Sequence, residues 1–118
     1  MVKHKIVVPI YPFEKFYADS MYLTHANITL LNFIDYYTRY AFIFPFKLSK
    51  QINSLKSSKC LESVIKFATE HNFKIVNIIT DKGSEFLGNF EKVCNDNIIN
   101  HEFLKVGDKV KFFTNRVI

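Results

Sequence analysis

The stretch from Ile78 to Phe90, IITDKGSEFLGNF, carries three signals in order. It opens as the end of a short β-branched run that begins at Ile75 (IVNIIT), the composition of a buried strand. Asp81 follows at once, and Gly83 marks a turn. Phe86, Phe90, Val93 and Cys94 then recur at a helical spacing. Strand, turn and helix in so few residues indicate an α/β layout, and they leave a carboxylate at the end of a core strand. Such a group is costly unless it is paired, hydrogen-bonded or bound to a metal. Asp81 can also be read as a turn or N-cap residue, which Asp favours.

Working toward the N-terminus, Leu61, Val64, Ile65 and Ala68 fall at i, i+3, i+4 and i+7, one face of a helix. Glu62, Lys66 and Glu70 sit on its wet side and should pair weakly. The stretch before it, Ser49 to Ser58, is polar, with Lys50, Lys56 and Lys59 in or beside it. Three strands are predicted upstream. Tyr40 to Phe46 (YAFIFPF) contains Pro45, which suits an edge or a strand end. Ile28 to Tyr37 (ITLLNFIDYY) is apolar enough to predict a central strand covered on both faces. Phe13 to Leu23 holds Asp19 among aromatic and apolar neighbours. Short turns at His25–Asn27 and Thr38–Arg39 join the three as an antiparallel meander. Beyond the second helix, Ile98 to Phe103 reads as a short fifth strand, and the segment from Lys105 to Ile118 has no clear period.

The chain has 118 residues, the size of one domain. It is 48% hydrophobic and 23% charged, so it reads as globular. Three Gly and three Pro exclude collagen-like and low-complexity structure. No apolar run reaches the length of a membrane span. The N-terminal stretch has Lys3 and Lys5 but only a short apolar run from Ile6, too little for a signal-peptide core, so secretion is not expected. A net charge of +5 is compatible with a nucleic-acid partner without identifying one. Cys60 and Cys94 lack CxxC spacing and read as buried free thiols. His4, His25, His71 and His101 are scattered and read as surface or packed residues. The many aromatics read as core.

Asp19 and Asp81 are the candidate catalytic residues. Asp19 also fits an exposed position on an alternating strand. Asp35, near a strand end, reads as structural, satisfied by Arg39 or a backbone amide.

Three stretches resemble the catalytic core of retroviral and retrotransposon integrases, members of the ribonuclease H-like superfamily. FYADSMYL (16–23) is similar to the first strand of that core, with its metal-binding Asp. ITLLNFIDYYTRYAFIFPFK (28–47) is similar to the next two strands. IITDKGSEFLGNF is similar to the second catalytic Asp and the Gly-x-Glu-Phe motif after it, and is the most specific of the three. HEFLKVGDKVK (101–111) resembles the segment leading to the last catalytic helix, with an ending similar to integrases of Maverick-type transposable elements. The spacing of Asp19 and Asp81, 62 positions, suits the family.

The resemblance implies a ribonuclease H-like α/β fold: a mixed five-stranded sheet, three antiparallel strands then two parallel ones, flanked by helices. It implies residues 1–12 as an extension and 13–118 as a core without its final helix. It implies that Asp19 and Asp81 meet on neighbouring strands and share Mg²⁺ or Mn²⁺. The activity implied is integration of a transposable element's DNA, by 3′-end processing and strand transfer. Lys82, Lys105, Lys109 and Lys111 would face the DNA backbone, although solvated surface lysines are an equal reading. The partners implied are DNA and either a second copy or a related core. The location would be nuclear in a eukaryote and intracellular otherwise.

One departure bears on activity. The family carries a third carboxylate, a Glu, where this chain has Thr114-Asn115-Arg116, and no Asp or Glu follows Asp108. Glu102 falls too early, and Glu85 belongs to the DKGSEF segment. An inactive, integrase-derived remnant that only binds nucleic acid or a related core is therefore the alternative. A ribonuclease H-like nuclease that cleaves RNA–DNA hybrids is a weaker third reading.

Overall fold

The computed structural model describes residues 9–104 and contains one five-stranded sheet. The strands are β1 (Lys15–Leu23), β2 (Ile28–Asp35), β3 (Ala41–Lys47), β4 (Asn77–Thr80) and β5 (Asn100–Phe103). Their order across the sheet is β3-β2-β1-β4-β5. The first three pair antiparallel, and β4 and β5 join in parallel. The predicted mixed sheet is thus observed, with β1 at its centre. Helix α1 (Ser54–Glu70) crosses between β3 and β4, and α2 (Asn89–Asp96) between β4 and β5.

Period-two alternation sends one set of side chains toward the helices. Phe16 and Ala18 of β1, Leu31 and Phe33 of β2 and Ile78 of β4 share one core with Leu61, Val64 and Ala68 of α1 and Phe90 and Cys94 of α2. Phe13 anchors one end of this core, its ring within 6 Å of the rings of Phe16, Phe42, Phe67 and Phe73. Both cysteines are buried free thiols, as expected. Burial pushes Cys60 up to about 11 and Cys94 up to about 12, so neither carries a thiolate near neutral pH.

The start of α1 is set by its cap rather than by its apolar stripe. The Asn53 side chain accepts from the Lys56 amide at 2.8 Å. Ser57 and Ser58, buried in the first turns, donate to the carbonyls of Ser54 and Leu55. The polar Ser49–Ser58 stretch is therefore half loop and half helix. At the far end Lys66 and Glu70 pair at 3.9 Å on the exposed side, in the expected weak way.

Strand β2 reads in sequence as covered on both faces. Its residues alternate between half-buried and buried. Among the described residues the helices cover one face only. The other face carries Tyr17, Ile79, Tyr36 and Leu104 as a small second cluster. Beside it Met21 and Ile43 are 47% and 57% exposed. Apolar residues on both sides of a strand do not say whether both sides are covered.

Candidate metal and nucleic-acid site

Parallel pairing of the two central strands brings the candidate carboxylates together. Lys15, Phe16 and Tyr17 of β1 stand opposite Asn77, Ile78 and Ile79 of β4. Carried on two residues, that register sets Asp19 beside Asp81. Asp19 lies within β1 and is half-buried; Asp81 follows the last residue of β4 and is exposed. The Asp81 carboxylate also closes its own turn, its Oδ1 accepting from the Gly83 amide at 2.7 Å. The turn reading and the site reading of Asp81 are thus compatible.

Burial raises the Asp19 carboxyl to about 6, with further upward pushes from Asp81 and Glu85 and an opposing hydrogen bond from the Ser20 backbone. Among the described residues, no ion pair reaches Asp19 or Asp81. Tyr17, on the same face of β1, is also raised, first by burial and then by the charges of Asp19 and Asp81. Across the sheet Asp19 faces Asn32, whose Oδ1 is buried without a hydrogen-bond partner. Among the described residues this negative charge has no paired cation, and that is the setting a cation relieves.

The donor set fits a hard divalent ion. Carboxylate oxygens suit Mg²⁺ and Mn²⁺, and Mg²⁺ keeps several waters and takes substrate phosphate beside one or two carboxylates. No group of three His, Cys, Asp or Glu among the described residues is placed to hold an ion. Asp19 and Asp81 would therefore supply two ligands, with water or substrate completing the shell. Glu102, on β5, is occupied elsewhere: its Oε2 accepts from the side chains of Asn77 and Asn100. His101 is packed against Phe90 and Phe103, and its Nε2 lies 2.8 Å from Thr80 Oγ1. Burial lowers His101 to about 4.

Of the four candidate DNA-facing lysines, Lys82 lies at the site. It is exposed, and its Nζ sits 5.8 Å from the centre of the Phe103 ring at the end of β5. Lys105, Lys109 and Lys111 fall outside the described residues, as does Asn115.

Asp35 proves structural, as read. It is fully buried. Its Oδ1 accepts from the Phe13 amide, and its Oδ2 from the Thr38 amide and hydroxyl. Two amides and a hydroxyl satisfy it, whereas the Arg39 guanidinium donates to the Tyr36 carbonyl.

The sequence reading missed Ser20 and Glu85 as partners. Ser20 Oγ donates to Glu85 Oε2 at 2.5 Å across 65 positions of chain. The signal for Glu85 was present, a carboxylate four residues after Asp81 beyond a glycine turn. Its partner on β1 could be named only once the strands were aligned. On the helix side of this bond opens a cleft of about 210 Å³ lined by Ser20, Tyr22, Thr29, Lys50, Ser84 and Glu85, among others.

No protein-family model matches this chain, and no curated protein sequence does. Solved structures do match in fold. One is the HTLV-2 integrase catalytic core domain, solved as a dimeric form in complex with magnesium, with a TM-score of 0.64 and 19% identity. The match covers 78% of this chain and 60% of that one. Another is a chain of the simian T-cell lymphotropic virus intasome bound to a PP2A regulatory subunit, with a TM-score of 0.68 and 18% identity. It covers 88% of this chain and 36% of that one. The chain thus shares the fold of these two integrase structures, and it spans less than two thirds of each of those chains.

Proposed function

We propose that this protein is the metal-dependent core of a transposable-element integrase, acting on DNA ends by phosphoryl transfer. The observation that carries the reading is the parallel register that sets Asp19 beside Asp81, with no paired cation on either among the described residues. Asp19 and Asp81 would hold Mg²⁺ or Mn²⁺ between them. When bound, such ions activate the attacking hydroxyl and stabilise the leaving oxygen. Tyr17, on the same face of β1, lies close enough to feel the charges of both carboxylates. Lys82, exposed on the rim one residue beyond Asp81, would meet a backbone phosphate and add salt-dependent affinity. The dimeric form of the HTLV-2 core supports a second copy, or a related core, as partner. The proposed location remains the nucleus in a eukaryotic host.

Binding without chemistry is the second reading. It rests on Asn115, which stands where the resemblance places a catalytic Glu and can ligate a metal only as a neutral group.

Mn²⁺ titration by calorimetry tests the site. Binding should be present in the native chain and lost when Asp19→Asn and Asp81→Asn are combined; binding unchanged in that variant refutes the assignment. A strand-transfer assay on a labelled duplex end separates the two readings. A metal-dependent joined product that disappears on Asp81→Asn establishes the enzyme, and no product with DNA binding retained establishes the remnant.

A further inference from the structure

The two proposed metal carboxylates sit on separate pieces of chain, β1 and the turn after β4. A site of this kind works only if the spacing between those pieces is held. Glu85 lies where it can hold that spacing. Its Oε2 accepts the hydroxyl of Ser20, the residue next to Asp19 on β1. At 2.5 Å this is the length of a charge-assisted O–H···O⁻ bond. Successive strand residues point to opposite faces, so Asp19 points away from the helices while Ser20 points toward them. Glu85 therefore grips β1 from the helix side, and among the described residues it does not join Asp19 and Asp81 in a group placed to hold an ion.

The same residue is tied to the Asp81 turn. A Cβ built on Gly83 would come within 2.5 Å of Glu85 Oε1 and 2.9 Å of Asp81 Oδ1. Both carboxylates thus lie against the same position of Gly83, and a side chain there would have to displace them. Further along, the Glu85 carbonyl accepts from the buried Ser57 hydroxyl of α1. Phe86 is fully buried in the core. The turn is consequently anchored to α1 through Ser57, to the core through Phe86, and to β1 through the Glu85 carboxylate.

We infer that Glu85 is a positioning residue, clamping β1 to the Asp81 turn through Ser20 so that Asp19 and Asp81 stay at a metal-binding distance. This rests on the proposed metal site. It assigns the glutamate of DKGSEF a part distinct from that of the family's third carboxylate, which the sequence reading denied it.

The experiment measures Mn²⁺ affinity of the full chain by calorimetry, with circular dichroism to confirm the fold. Glu85→Ala should weaken binding on the order of tenfold, the usual cost of losing a supporting hydrogen bond behind a metal ligand. Glu85→Gln keeps an oxygen that can accept from Ser20, and it should restore most of that loss. Ser20→Ala breaks the same bond from the other side, so it should match Glu85→Ala, and the double variant should be no weaker than either single one. Ser20→Ala also serves if Glu85→Ala fails to fold. Wild-type affinity in a folded Ser20→Ala or Glu85→Ala chain overturns the clamp. So does Glu85→Gln falling as far as Glu85→Ala, which would make the charge itself the contribution. Neither outcome touches the site. By contrast, absent Mn²⁺ binding in the native chain, or binding that survives Asp19→Asn with Asp81→Asn, removes the site and the clamp together.

Discussion

Asp35 and Asp19 belong to neighbouring strands, and both are withdrawn from water, Asp35 wholly and Asp19 in part. Their surroundings differ. Asp35 receives three hydrogen bonds, from the Phe13 amide and from the amide and hydroxyl of Thr38. Those bonds join the segment before β1 to the turn after β2, at a point where Phe13 has a positive φ of 70°. Asp19 has one opposing hydrogen bond, from the Ser20 backbone, against burial and two nearby carboxylates, and its carboxyl rises to about 6. A buried carboxylate with a full set of donors holds the fold together. One that faces other carboxylates costs stability, and a cation bound there would offset that cost.

The largest effect should come from breaking the satisfied member. Asp35→Ala leaves two backbone amides without their acceptor in or near the core, and it should cost about 3 kcal/mol in urea denaturation. A loss under about 1 kcal/mol would mean that water replaces the carboxylate, and the contrast with Asp19 would weaken.

Removing the unsatisfied member should act in the opposite direction. In the folded chain Asp19 titrates near 6 against an ordinary 3.8, so between those values the folded state binds more protons than the unfolded one. Stability from this group is therefore full below about pH 4 and falls as pH rises through about 6. Asp19→Asn removes that fall. Without metal it should stabilise the chain near neutral pH by on the order of 1 kcal/mol, once solvent screening is discounted, and do nothing near pH 4. Unfolding curves across this range check the sign; an unchanged pH slope in the variant would show that Asp19 does not carry it. For the native chain, Mn²⁺ affinity should climb with pH up to about 6 and then level off.

A smaller change sharpens the Asp35 side of the comparison. Thr38→Ala removes one of the three donors to Asp35 and the hydroxyl that accepts from the Tyr40 amide. The Thr38 amide still reaches Asp35. The cost should be about 1 kcal/mol in the same denaturation experiment, because this turn is exposed and water can enter. A cost equal to that of Asp35→Ala would place most of the stabilisation in the hydroxyl bond alone.

Much of this arrangement was legible along the chain. The order of five strands and two helices follows from local periodicity, which backbone geometry imposes wherever one side of an element is buried. Asp19 and Asp81 stood out because a carboxylate among β-branched and aromatic residues is costly. Asp35 was legible as structural from its place at a strand end. The capped start of α1 was less legible, since Asn53 and the serines after it look like loop until their hydroxyls turn back on the helix.

What the sequence by itself determined is therefore the local part: which segments extend or coil, which residues prefer burial, and which carboxylates sit against that preference. Tertiary structure alone decided which of these meet. Both sides of β2 carry large apolar residues, Ile28, Leu30 and Ile34 on one and Leu31 and Phe33 on the other, so only packing shows that the described helices lie on one face. The bond between Ser20 and Glu85 spans 65 positions and depends on the register of β1 against β4. A shift of one residue in that register would turn Ser20 away from Glu85 and Asp19 toward the helices, because side chains alternate along a strand.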